Sequence, residues 1–462
     1  MRSPDMLHVQ NAPLRPLLVK ELWEILGGRA LWIMLLLICP LIGYSFLQAT
    51  ALYGEASVTG LQSLALASTL SPLDGVLVPT FGAFYVAVTL LFPFVAIRVL
   101  GQEKESGALR LLVQLPYRSS TLIAAKLAAV LAAWLLSSIP ALSALIIWEL
   151  LGGHLSAPET LNLICGHLLY GLLVGAIALF AASVAESAAT AAIVTLAFTI
   201  GSWVLDFTVV GQSGLFAWIA SLSLTQVLRT FEQGLLSVRL VAGICTVVLG
   251  FAALATVWLP PGVGVHSKVI RSIFCVFAVV LALGLVTQIK LTFDVTEDQR
   301  NSFPAADQHV LASLAQPLVL TVHLASEDPR YADLQRNVLS KLERTMPSVS
   351  IHLAGRQSLA TNADGDRYGE VEYTYGAHSD ISRSTSPREI LPMLYGLAGV
   401  SPPAPAPGSD YPGYPLVASG HAALVWFFFG LPLCIALAWW WSRRLPKPIT
   451  AGSSRRFSHE HD

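Results

Sequence analysis

Residues 101–126 read GQEKESGALRLLVQLPYRSSTLIAAK. They separate two apolar runs, about 80–99 and 123–150, each long enough to cross a bilayer as a helix, which takes about 20 apolar residues. Inside the stretch, Glu103, Lys104 and Glu105 precede Gly107, a leucine-rich patch (Leu109, Leu111, Leu112, Leu115), Pro116 and Lys126. The pattern predicts a short helix with acidic residues near its start, where they suit the helix dipole. Its apolar face is too exposed for a free loop and suggests a docking surface for a partner. The alternative is a loop helix packed on its own membrane domain.

The surrounding chain has 462 residues, 54% hydrophobic and 12% charged, with a net charge of −1. Soluble domains carry roughly 25% charged residues. A soluble enzyme, a disordered chain and a basic nucleic-acid binder are therefore all disfavoured. Eight runs qualify as spans: about 29–49, 80–99, 123–150, 161–184, 188–210, 239–259, 269–289 and 417–441. Pro140 is expected to kink the third, and only Ala185, Glu186 and Ser187 separate the fourth from the fifth. Cys39, Cys165, Cys245, Cys275 and Cys434 all fall in apolar runs, which argues against a disulfide framework or a cysteine zinc site.

Orientation follows from Lys and Arg in the short loops. Sixteen of them flank spans 1, 2–3, 7 and 8 on one side, whereas the alternate loops hold only Arg229, with Arg239 at a border. Both termini are then cytoplasmic, and the segment between spans 7 and 8 lies outside. Span 1 is too long and too far from the N-terminus for a cleaved signal and reads as an uncleaved span. Before it, PLRPLLVKELWEILGG (13–28) repeats leucine and isoleucine at helical spacing, with Lys20, Glu21 and Glu24 between, as in an amphipathic helix along the inner leaflet.

The order Glu, basic, Glu, Ser, Gly, leucine-rich helix, Pro, Arg-Ser, Lys resembles the loop between the second and third spans of type-2 ABC exporter permeases, and 13–28 resembles their elbow helix. The resemblance implies that Glu103, Lys104, Glu105, Gly107, Leu109, Leu112 and Leu115 belong to a coupling helix seated in a separate ABC ATPase subunit. It also implies a homodimer or a heterodimer with a second permease. The chain has no GxxxxGK[ST] loop to cradle nucleotide phosphates, so ATP and its hydrolysis are expected in the partner and no cofactor in this chain.

From about 291 the composition changes. Residues 290–415 hold ten Lys or Arg against fifteen Asp or Glu. Strands are expected at 318–324, 349–353 and 370–375 and helices at 331–346 and 386–398, a small α/β domain. Asp294, Thr296, Asp298, Arg300 and Ser302, followed by Leu311, Leu314 and Pro317, resemble the start of the extracytoplasmic domain of gliding-motility-associated ABC transporter subunits, although this domain is shorter. His309, His323, His352 and His378 show no ligand spacing, and no metal site is expected; the terminal His459-Glu460-His461-Asp462 reads as a solvated tail.

Glu149, Glu186 and Asp206 sit at span ends. There they reach headgroups and water, or alternatively line a pathway or gate. The outer segment 211–234 is amphipathic and too broken to span; the family resemblance implies re-entrant helices there.

The expected fold is a polytopic α-helical membrane protein with about eight transmembrane helices and a small α/β extracytoplasmic domain between the last two. Its parts are 1–28 (elbow), 29–260 (six-span core, coupling loop 100–122), 261–290 (span 7), 291–400 (outer domain), 401–416 (Pro/Gly-rich linker), 417–441 (span 8) and 442–462 (basic tail). The expected function is an ATPase-powered exporter permease in the bacterial inner membrane, with the lipid bilayer and an envelope or periplasmic protein as further partners and no nucleic acid. The rival is an ATP-driven mechanical or signalling scaffold whose outer domain binds an envelope protein. An ATP-independent carrier ranks below both, because no inverted repeat or buried ion-coupling charge stands out.

Overall fold

The computed structural model describes residues 14–115, 117–208, 223–289, 291–325, 328–354, 367–404 and 411–444. The segment 211–222, the Asp206 side chain and the terminal histidines lie outside the described residues. Helix α1 (Leu14–Gly27) turns at Gly28 into α2 (Ala30–Gly60). There follow α3 (Leu73–Glu105), α4 (Ala108–Gln114), α5 (Ser119–Leu150), α6 (Ala157–Val184), α7 (Ala188–Thr208) and the short α8 (Leu224–Glu232). Strand β1 (Leu235–Ser237) leads into α9 (Val238–Trp258) and α10 (Val265–Val286).

Among the described residues, seven helices are long and apolar enough to cross a membrane: α2, α3, α5, α6, α9, α10 and His421–Ser442; α7 is apolar but shorter by the same measure. Helices α2 and α3 extend well beyond the runs read from sequence. At 31 and 33 residues they measure about 46 and 50 Å, against roughly 30 Å of hydrocarbon. Their ends therefore project into water and carry the polar clusters described below. In α5 the regular helix is interrupted at Ser138, two residues before Pro140, which has no amide hydrogen to donate.

The bundle core is aromatic at its centre. Trp134 of α5 meets Phe84 and Phe92 of α3 edge-on, and Tyr170 of α6 joins them. The Tyr170 hydroxyl lies 2.7 Å from Thr89 Oγ1, so the polar tip has a partner inside the bundle. Helix α10 is different. None of its residues is buried, and it leans on α9 through Gly250 against Val279 and Trp258 Nε1 donating to Ser272 at 3.0 Å.

Beyond α10, β2 (Thr292–Asp294) pairs antiparallel with β1. After α11 (Ala305–Ser313) come β3 (Leu318–Val322), helix α12 (329–345), β4 (Val349–Leu353), β5 (Val371–Tyr375), β6 (His378–Ser382) and α13 (Pro387–Ala398). The sheet order is β4-β3-β5-β6. Strands β3 and β4 are parallel across α12, and the other pairs are antiparallel. Leu318, Leu320 and Val322 alternate into a core with Leu334, Val338 and Leu342 of α12 and Ile390 and Leu394 of α13. Strand β6 was not anticipated. It carries no apolar alternation, because it is an edge strand almost wholly exposed. Its hairpin turn is Gly376-Ala377, with Gly376 at φ +61, where a first turn position of type II′ favours glycine.

The final span, α14 (His421–Ser442), returns to α2. Phe427 packs on Phe46 and directly over Gly43, where an added Cβ would lie 2.3 Å from the Phe427 Cβ. Gly43→Ala is therefore expected to destabilise the protein by about 1–3 kcal/mol, seen as a lower Tm of the full chain in detergent. Gly82→Ala, with nothing within 4 Å of the new Cβ, should leave Tm unchanged or raise it.

Candidate functional site

The region where α1, α3 and α5 meet beside α4 is built on a buried ion cluster. In α1 the buried stripe is Leu17, Glu21 and Ile25, one residue per turn, so a carboxylate sits where an apolar residue is expected. Lys126, on the first turns of α5 and 1% exposed, meets it there: its Nζ lies 2.9 Å from Glu21 Oε1 and 2.7 Å from Glu103 Oε2 at the end of α3. The same ammonium donates to the Val99 carbonyl at 2.9 Å. Lys20 pairs with Glu103 as well and lies 3.3 Å from both Glu21 and Glu24. Burial opposes the Lys20 charge, but Glu21, Glu103 and Glu24 outweigh it and hold its pKa above the usual lysine range. Burial, with repulsion from Glu103, pushes the Glu21 carboxyl upward against the pull of Lys126 and Lys20. Glu21, Glu24 and Glu103 converge closely enough to suggest a cation site, but the two ammonium groups already stand among them.

Lys104 faces the other way. Its Nζ donates to the carbonyls of Ser183 and Ala185, at 2.7 and 2.9 Å, and so caps the C-terminus of α6. Gly107, at φ +75, then breaks the chain from α3 into α4 in a backbone conformation that other residues adopt only with strain. On α4, Leu109 turns inward and is buried, whereas Leu111 and Leu115 are 68% and 47% exposed. A groove of about 440 Å³ opens between α1 and α4, with Leu111, Leu112 and Leu115 on one wall and Lys20 and Glu24 on the other.

The sequence-expected set thus divides. Glu103, Lys104 and Leu109 face into the protein, while Glu105 and Leu115 are exposed and Leu112 is half-buried. Leu111 is the most exposed apolar side chain of α4. The partners Lys20, Glu21 and Lys126 were visible only as loop and elbow charges; the one available signal was Glu21 falling in step with Leu17 and Ile25. Glu149 and Glu186 are exposed at helix ends, and the structure does not bring them together with α4.

A second polar cluster joins the opposite ends of the helices to the chain after α10. Asp294 accepts from the Thr296 backbone (3.1 Å) and hydroxyl (2.5 Å) and from the Asn301 backbone (3.0 Å), which folds the 294–302 turn. Arg300 from this turn pairs with Asp74 of α3. The Glu297 amide donates to Glu159 of α6 at 2.7 Å, and its carboxylate meets His154 at 2.8 Å and the Tyr414 hydroxyl at 2.5 Å. The hydrogen bond to Glu297, aided by burial, pushes the Tyr414 phenol up to about 12, so it remains a donor at any physiological pH. The segment 411–416 is in turn tied to α2: Tyr53 donates to the Tyr414 carbonyl at 2.7 Å, and the Leu416 amide donates to Ser57 at 2.9 Å.

Removing one member of a buried charge cluster strands the others. Lys126→Met is expected to cost about 3–5 kcal/mol of unfolding free energy, measured by denaturant titration of the full chain in detergent. Adding Glu21→Leu and Glu103→Leu to the same chain should restore most of it. At the second cluster, Glu297→Ala removes two charge-assisted hydrogen bonds, about 1–3 kcal/mol. Amide exchange across 411–419 should then quicken about tenfold, with exchange in β3 unchanged.

A family model described as ABC-2 family transporter protein matches residues 15–378. No curated protein and no solved structure matches the chain. The matched stretch starts in α1, takes in the α3–α5 region with its ion cluster and ends at the first residue of β6, more than three quarters of the chain. The chain belongs to the ABC-2 transporter family, and with its series of long apolar helices it is a multi-pass membrane permease subunit of an ABC transporter.

Proposed function

We propose that this permease is an exporter subunit driven by a separate ABC ATPase that docks on α4 and the groove beside it. The observation that carries the reading is the exposure of Leu111 and Leu115 on a short helix whose root is anchored on two sides. Burying two leucines in a partner supplies about 1.5–3 kcal/mol each. Movement imposed on α4 passes through Glu103 to α1 and α5, and through Lys104 to the end of α6. Glu105 and the Lys20–Glu24 wall then form the polar rim of the docking surface. Gly107 is the joint between α3 and α4.

In this reading eight helices cross the bacterial inner membrane, α7 among them, with both termini cytoplasmic and 291–416 outside. Two permease subunits, identical or related, enclose the pathway, and ATP stays on the partner. Exposed Glu149 and Glu186 fit interfacial positions better than a gate within one subunit. The turn 294–302 and the sheet that follows it support the likeness to the outer domain of gliding-motility-associated subunits.

The outer cluster favours a second reading, in which the ATPase cycle moves the outer domain against an envelope protein and nothing is transported. Arg300, Glu297 and Tyr414 tie that domain to α2, α3 and α6, so helix motion reaches it directly. ATPase activity stimulated by a transported substrate supports the first reading; activity stimulated by an envelope protein without flux supports the second.

Affinity purification of the full chain from its native membrane tests the docking surface. Wild type should bring down a nucleotide-binding chain. Leu111→Asp with Leu115→Asp should lower its recovery at least tenfold without changing Tm, since both side chains are exposed. Recovery of no ATPase with wild type after crosslinking, or equal recovery with the variant, would sink the reading.

A further inference from the structure

A cavity of about 340 Å³ lies between the β1–β2 ribbon and helices α11 and α12, lined among others by Thr292, Ser302, His309 and Arg344. We propose that it binds the phosphate headgroup of a membrane phospholipid, drawn from the leaflet that faces the 291–416 segment. The assignment requires α9 and α10 to lie in the bilayer and is independent of where an ATPase docks.

Position is the first argument. Strand β1 ends at Ser237 and α9 begins at Val238, so the cavity residue Leu235 stands three residues, about 10 Å of extended chain, from a membrane helix. Headgroup phosphates lie at that depth. The second argument is the two-faced ribbon. Thr292 and Asp294 line the cavity, while the alternate residues Leu291 and Phe293 are 58% and 52% exposed. One side of the ribbon sets Thr292 and Asp294 on the cavity wall; the other is apolar and fits the acyl boundary. Below it, Leu281 and Leu285, one turn apart on α10, are also exposed and continue the apolar track.

Charge is the third argument. One guanidinium nitrogen of Arg344 donates to the Asn301 carbonyl. Among the described residues its other nitrogens have no hydrogen-bond acceptor, which leaves donors for a phosphate. The charges of Asp294 and Glu343 act on Arg344, but Asp294 accepts from Thr296 and Asn301, and among the described residues neither carboxylate forms an ion pair with Arg344. His309 and the hydroxyls of Thr292 and Ser302 complete a phosphate-sized set of donors.

The test uses the full chain, delipidated in detergent and titrated with phosphatidylglycerol, with bound lipid counted by native mass spectrometry. Wild type should hold one lipid more tightly than the detergent background. Arg344→Ala should weaken that lipid about tenfold or more, and Arg344→Lys should recover part of the loss. Arg383→Ala, the same charge change at a surface pair with Glu370, serves as control and should stay within about twofold of wild type. Equal lipid retention by Arg344→Ala and wild type would overturn the proposal. Displacement of the lipid by inorganic phosphate at matched concentration would also overturn it, assigning the cavity to a free anion.

Discussion

The fold at the α4 end of the bundle depends on one buried ammonium. Lys126 is 1% exposed, and around it converge α1, the foot of α3 and the start of α5. Each of these elements could be apolar there and still pack. Charged contacts instead set one register: Glu21 must stand opposite Lys126 and Glu103 between Lys126 and Lys20, or a charge is stranded in low dielectric. The short helix α4 inherits that precision. It starts four residues after Lys104, which bonds to the end of α6, and immediately after a glycine in left-handed geometry, so Leu111 and Leu115 point outward from a defined base.

At the opposite end the constraint is different in kind. The polar contacts there are many, partly exposed and individually modest. Their strength lies in number and in the elements they join. The turn at 294–302 touches α3, α6 and the segment before β1, and the 411–416 strap touches α2. The four-stranded sheet is thus held at both its entry and its exit, although its own hydrophobic core is separate from that of the bundle.

Much of this was legible in the chain. Apolar runs located the membrane helices because a span must satisfy its backbone internally and present apolar side chains to lipid. Strand β3 was legible because Leu318, Leu320 and Val322 alternate into a core; β6 was not, because an exposed edge strand leaves no such trace. Helix ends were underestimated, since residues beyond the hydrocarbon obey ordinary helix rules and no longer need to be apolar. In the candidate site, the sequence located the charged residues of the α3–α4 segment but not their direction. Glu103 and Lys104 are adjacent, yet one enters the ion cluster and the other caps α6, because consecutive helix positions lie about 100° apart. Only the partners, distant in the chain, decide which way each faces.

The contact between Gly43 and Phe427 has a bearing on how the protein is made. The two residues lie about 380 positions apart, and at roughly 5–20 residues per second a ribosome needs about 20–80 s to travel between them. Through that interval the groove on the first membrane helix has no protein to fill it, although most of the bundle is already inserted. The helix that carries Phe427 therefore arrives as a keystone, and α2 reaches its closed packing only after everything between the two residues has been made.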